Sequence, residues 1–297
     1  MSIHNSLHSV GRYMKTCRLK SAIIIFAGVL GLSLFLNVCA YSQGNLLITP
    51  RRVVFEGTKK SMDLNLANIG KDTATYSISL VQIRMKDDGG FETITEPDPG
   101  QRFADRFIRF FPRSVTLAPN EAQVVKVQLT RTGELTPGEY RSHFYFRAKP
   151  KEKALGEKEV AKDTTTISIK LTPVFGISIP VIVRNGASTT KVALSDLALD
   201  MVNDTIPRLS LSFNRSGNMS CFGDLAVDHI SPQGITTRVG NANGVAVYTP
   251  NTIRKFQLNL KNNKGVDYRS GKLHVTYSAP SDVKPEKYAE AELSLTR

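Results

Sequence analysis

Apolar residues recur at every second position through most of the chain. Met62, Leu64 and Leu66 alternate with Asp63 and Asn65, and Val125, Val127 and Leu129 with Lys126 and Gln128. Leu209, Leu211 and Phe213 repeat the pattern, as do Leu273, Val275 and Tyr277. A period of two sends alternate side chains to opposite faces of a strand, so each run predicts a half-buried β-strand. Turn-forming residues separate the runs: Asn68-Ile-Gly70, Asp88-Gly-Gly90, Pro119-Asn120, Pro137-Gly138, Asn185-Gly186, Asn214 to Gly217, and Asn262 to Gly265. Short strands at regular spacing predict an all-β sandwich or barrel. No amphipathic helical stretch of useful length interrupts them.

The pattern divides at Asn185-Gly186. Residues 45–184 hold roughly seven strand candidates and residues 187–297 seven or eight, and each length suits an immunoglobulin-like sandwich. Two segments stand apart. Residues 150–163 are polar and charged without alternation, which predicts a mobile loop. Residues 165–184 follow as the longest alternating run. Ile167, Ile169, Leu171, Pro173, Phe175, Ile177, Ile179, Val181 and Val183 occupy successive odd positions. At ~3.3 Å per residue such a run extends ~55 Å, well beyond an ordinary strand. It must bend between sheets or run out along an edge, and Pro173, which has no N–H, favours an edge or a bend.

The first 42 residues differ in kind. A basic stretch from Arg12 to Lys20 precedes an apolar run from Ala22 to Leu36, and Ala40-Tyr41-Ser42 places small residues at the third and first positions before a cut. This is the pattern of a secretory signal peptide, so the mature protein is expected outside the cytoplasm. An uncleaved anchor facing the same compartment is the alternative, because Ala22 to Ala40 approaches the ~20 residues that span a bilayer. Val38 is too large for a lipoprotein signal at Cys39. With Cys17 and Cys39 in that segment, only Cys221 remains and no internal disulfide can form. Cys221 reads as a small buried apolar side chain.

The formal charge is +13. Four basic residues and no acid lie in residues 1–42, which leaves 35 basic against 26 acidic residues, or +9, beyond them. The surplus is scattered, with no basic run longer than Arg51-Arg52 or Lys59-Lys60, so nucleic acid is not the expected partner. Chemistry for catalysis or metal binding is absent from the pattern. His143, His229 and His274 lack metal-ligand spacing, and no nucleophile elbow or phosphate loop occurs. His143 reads as a satisfied strand residue, and Glu96, Asp98 and Asp105 as solvated loop charges. No cofactor, no metal and no enzymatic activity are expected.

Five segments, in order, resemble the PapD-like periplasmic chaperones of pilus and fimbrial assembly. They are Ile48 to Gly57 with its Arg-Val-Val-Phe core, Ser61 to Asn68, Phe111 to Asn120, Val124 to Leu129, and Leu135 to Ala148 with its aromatic ending. The resemblance covers about residues 46–184; the second half is similar only in pattern. It implies two immunoglobulin-like sandwiches in a boomerang arrangement within the periplasm. It also implies a mechanism. An incomplete, exported β-rich subunit takes up a strand lent by the chaperone, through backbone hydrogen bonds and alternate apolar side chains. An outer-membrane usher would then receive the subunit. The resemblance places Ile169, Leu171, Pro173 and Phe175 at the donor positions. It makes Arg52 the anchor for the subunit's terminal carboxylate. The lysine that normally assists is replaced by Pro180; Arg51 or Lys170 could substitute. Arg184 matches an interdomain ionic link whose acidic partner would fall on Arg141, with Glu139 as the nearest carboxylate. An exposed donor strand could also pair two copies of the chain. The alternative is an exported structural or adhesive sandwich that lends no strand and buries the same row in its own core.

Overall fold

A computed structural model describes residues 46–150, 174–281, 283 and 285–295. The expected signal segment, residues 151–163 of the expected loop, and Ile169, Lys170, Leu171 and Pro173 lie outside the described residues.

The first sandwich is built from β1 (Leu46–Thr49), β2 (Val53–Phe55), β3 (Ser61–Asn68), β4 (Ala74–Met85), β5 (Phe91–Ile94), β6 (Ile108–Phe111), β7 (Ser114–Leu117), β8 (Ala122–Leu129), β9 (Gly138–Ala148) and β10 (Gly176–Asn185). One sheet has the order β1-β3-β8-β6. The other runs β2-β10-β9-β4-β5, with β7 also pairing β4. The seven strands expected from alternation are too few. Short strands of three or four residues carry too little alternation to be counted, and β1 and β2 lie on different sheets, separated by Pro50, Arg51 and Arg52. Every ladder in this sandwich is antiparallel except β2 against β10, which runs parallel from Val53 opposite Val181 to Phe55 opposite Val183.

The second sandwich comprises β11 (Lys191–Val202), β12 (Ile206–Ser216), β13 (Cys221–Ile230), β14 (Thr236–Val247), β15 (Ile253–Asn259), β16 (Lys272–Ser278) and β17 (Lys287–Ser294). Its sheets have the orders β11-β12-β15 and β14-β13-β16-β17. Gly186, with φ +79°, begins the link between the sandwiches. At Gly138 the chain enters β9 with φ +118°, and the Arg102 guanidinium occupies the space a β-carbon would need, so only glycine fits there.

Alternation decides what is buried. Leu64, Leu66, Val125, Val127, Phe144, Phe146, Val181 and Val183 fill the first core. Leu209, Phe213, Val227, Leu273, Val275 and Tyr277 fill the second. Cys221 is buried beside them with its thiol toward the Val247 carbonyl. A third, smaller cluster joins the two: Met85 and Ile182 from the first sandwich meet Ala246 and Tyr248 from the second, with Val54 and Phe222 against them. Hydrogen bonds cross the same seam, from Lys255 N–H to Asp87 O (2.6 Å) and from Asn251 Nδ2 to Met85 O (2.8 Å). No helix among the described residues is long and apolar enough to cross a membrane.

Phe144 is fully buried between Phe110 and Phe146. Phe144→Ala should lower unfolding free energy by about 3–5 kcal/mol in urea titration. A loss below 1 kcal/mol would mean that this core collapses around the cavity or does not depend on the aromatic stack.

Candidate functional site: an open strand edge beside a cationic seam

The two edges of β10 are treated differently along its length. On one side β9 pairs with it from Gly176 to Asn185. On the other side β2 covers only Val181 to Val183. From Gly176 to Pro180, nothing among the described residues pairs with that second side. The Ala148 N–H donates to Phe175 O at 3.0 Å, which places the odd residues of β10 in hydrogen-bonded register with β9. The backbone groups of Gly176 and Ser178 therefore face the open side, with donor and acceptor each. Pro180 offers only its carbonyl there.

The odd row grades from solvent to core. Phe175 is 63% exposed and Ile177 39%, whereas Ile179, Val181 and Val183 are buried in the first core. The row thus serves its own sandwich from Ile179 onward and is presented outward before it. Ile177 thus departs from a row buried throughout in its own core, because the strand has there run past the sandwich beneath it. Of the donor positions expected from the sequence, Phe175 alone is among the described residues.

The even row of β10 and the odd row of β9 face the second sandwich. Arg184 Nε donates to Glu139 Oε2 at 3.1 Å, and its Nη2 donates to Ser220 O at 2.7 Å. Glu56 lies 3.6 Å from its Nη1. The same Glu139 oxygen accepts from Ser220 N–H (3.0 Å) and Ser220 Oγ (2.6 Å). Glu139 and Arg184 thus tie the end of β10 to the start of β13. Arg141, in register with Ile182, is fully buried. It donates to Ile83 O and Thr249 O, both at 3.2 Å, and stacks on the Tyr248 ring at 4.4 Å.

Arg52 is half-buried, not a freely solvated charge. Its guanidinium lies 4.3 Å from the centroid of the Phe222 ring of the second sandwich, and Nε and Nη1 are buried without a hydrogen-bond partner. Burial pushes its pKa down, and Arg184 adds to the effect. Arg51 is exposed. His143 also departs from the satisfied strand residue expected. It is buried between the rings of Phe91 and Tyr248, and its Nδ1 has no partner. Burial, reinforced by Arg141, pushes its pKa down to about 3. Asp98 differs from a solvated charge as well: Arg84 holds it through both Nε (2.7 Å) and Nη2 (2.5 Å), and that hydrogen bonding draws its pKa down.

Sequence reasoning missed Arg141, His143, Phe222, Tyr248 and Arg254. The first two sit on the polar row of an alternating strand, which reads as solvent-facing. Their only signal was the concentration of Glu, Arg and His within five residues of an otherwise aromatic strand.

Fold and site together define an all-β protein of two immunoglobulin-like sandwiches, with an open strand edge beside a cationic seam. The chain is similar to solved structures of chaperones. The YadV chaperone is 14% identical, with a TM-score of 0.42 over 84% of this chain and 99% of that one. The E. coli chaperone DraB is 11% identical, with a TM-score of 0.40 over 86% and 98%. A chain in the complex of the Salmonella enterica SafA pilin with the SafB chaperone is 12% identical, with a TM-score of 0.41 over 86% and 99%. No family model matches the chain, and no curated protein does.

Two outcomes follow from the seam. Glu139→Gln should cost about 2–4 kcal/mol in urea titration, because Arg184 then faces Ser220 without its buried counter-charge; an unchanged midpoint would show the pair to be idle. His143 has the second. Unfolded, it titrates near 6.5, so below that pH the unfolded chain takes a proton that the folded chain refuses until about pH 3. Stability therefore falls as pH drops through that window, by on the order of 3–5 kcal/mol from this group. The stability difference between His143→Phe and wild type should grow in favour of the variant from pH 7 to pH 4. A constant difference would place His143 in contact with water.

Proposed function

We propose that the protein is a periplasmic chaperone that binds exported pilus or fimbrial subunits by lending them a strand and passes them to an outer-membrane usher. Ile169, Leu171, Pro173 and Phe175 are the donor side chains of this reading, Arg52 the cation for the subunit's terminal carboxylate, and Arg184 the interdomain link. The observation that carries it is the half-open β10. One edge of its backbone is unpaired among the described residues from Gly176 to Pro180, and the apolar row beside that stretch, Phe175 and Ile177, is exposed. An edge strand with unpaired N–H and C=O groups and an apolar row is a template for another chain. Each large apolar side chain buried by a guest adds about 1.5–3 kcal/mol to binding. Arg52 immediately precedes the strand that closes the edge, and its unpaired nitrogens suit a carboxylate.

The test is affinity purification of the tagged protein from periplasm, with mass spectrometry of the proteins retained. A small exported β-rich protein should accompany the wild type and be lost with Phe175→Asp, whose thermal stability should stay within about 1 kcal/mol of wild type. Arg52→Met should lose the same partner at unchanged stability, because its Nε and Nη1 make no hydrogen bond to forfeit. Retention of the partner by both variants removes strand lending. A collapse of stability in Phe175→Asp means that the side chain serves its own core, as in an exported structural sandwich.

A further inference from the structure

The β4–β5 hairpin reaches across the seam and holds the second sandwich by its turn. The Lys255 N–H donates to Asp87 O at 2.6 Å, and Asn251 Nδ2 donates to Met85 O at 2.8 Å and to Asp87 Oδ1 at 3.3 Å. Gly89, at φ +83°, lets the turn pass the Arg254 guanidinium, which occupies the space a β-carbon would need. The grip is small, and the rest of the turn faces water: Lys86, Asp87 and Asp88 are exposed. A contact of a few hydrogen bonds on an exposed turn can open without unfolding what it joins.

His143 lies beneath that hairpin. Phe91, the first residue of β5, covers it at 6.2 Å, and Tyr248 of the second sandwich covers it at 6.3 Å, each ring edge-on. Cations face it from two sides: Arg141 on its own strand, and Arg254 on β15 in the same space. β4 contributes only Ile83 and Met85 there, and β10 only Ser178 and Pro180. The nearby carboxylates are committed elsewhere. Glu139 is held by Arg184 and Ser220, and Asp88 sits 3.8 Å from Lys86 in the turn. Nδ1 of His143 is buried without a partner. A charged imidazole is a donor at both nitrogens, so it cannot be satisfied in this place. The ring takes a proton where its cover has parted and water can reach it.

We propose that the β4–β5 hairpin is an acid-released latch: protonation of His143 frees the turn from β15 while both sandwiches stay folded. Beneath the closed latch, burial and Arg141 hold the ring neutral down to about pH 3, and once uncovered it titrates near its ordinary 6.5. Protons therefore bind the released state first. Between those two values each unit of falling pH favours release about tenfold, or about 200-fold in all from pH 7 to pH 4. Neutral pH keeps the latch shut. The device does not depend on what the open edge of β10 binds.

The test is amide hydrogen exchange of the purified protein by NMR at pH 7 and pH 4, with rates converted to protection factors. The Lys255 amide reports the latch, because its hydrogen bond crosses the seam to Asp87. Its protection should fall between about tenfold and 200-fold from pH 7 to pH 4. At pH 4 the amides of Val127 and Val275, one in each core, should remain at least about tenfold better protected than Lys255. His143→Phe, which keeps an aromatic ring in the seam and takes no proton, should hold the Lys255 protection constant to within about threefold. A fall of less than about tenfold in the wild type overturns the proposal. So does equal protection of Lys255, Val127 and Val275 at pH 4, which would make the opening a global unfolding. Should His143→Phe fail to fold, His143→Gln serves in its place. Both variants leave Asp87, Asp88 and Glu139 intact, so a fall that persists without the imidazole belongs to a carboxylate and also overturns the latch.

Discussion

Glu139 is the only fully buried carboxylate residue among the described residues, and it sits where two sandwiches meet across a row of arginines. A buried charge is tolerated only when its oxygens are occupied, and Glu139 meets that condition with partners from both sides: Arg184 from the first sandwich, Ser220 and Thr249 from the second. Removing either side strands the charge. The docking of the two sandwiches and the burial of this one side chain therefore depend on each other. The apolar contact of Met85, Ile182, Ala246 and Tyr248 supplies adhesion, and Glu139 supplies registration.

That constraint gives β10 two characters. From Val181 to Val183 it is paired on both edges, its odd side chains are locked in the first core, and Ile182 is locked in the seam. From Gly176 to Pro180 one edge is open among the described residues, and its row emerges into solvent at Ile177 and Phe175. One strand is thus locked on both edges at one end and open on one edge at the other, and the change falls within a few residues. The rigid half holds the open half extended. A guest strand would meet an edge already in β conformation and would not bear the entropy of ordering it.

Much of this was legible in the sequence. The alternation of Leu64 with Leu66, Val125 with Val127, and Leu209 with Leu211 and Phe213 correctly assigns the core rows of both sandwiches, because a one-residue shift would bury the intervening Asn, Lys or Ser. The open stretch could be expected from a run too long for one sheet. What was not legible is the outer face. Glu139, Arg141 and His143 alternate with Tyr140, Ser142 and Phe144, so a period-two reading sends them to water. They are buried because a second sandwich docks there, and that contact joins residues more than a hundred positions apart, such as Arg141 and Thr249. Arg254 carries no local signal at all: its position matters only through what faces it.

The place where β2 begins has a consequence for measurement along the strand. A chain added to the open edge of β10 can advance only as far as Pro180, because Val53 already occupies the space beside Val181 and the proline withholds an N–H at the last free position. Sliding is stopped by a backbone that belongs to the protein itself. Under the strand-lending reading the junction would act as a ruler's end, setting where an incoming strand terminates, and so which of its side chains fall on Phe175 and Ile177.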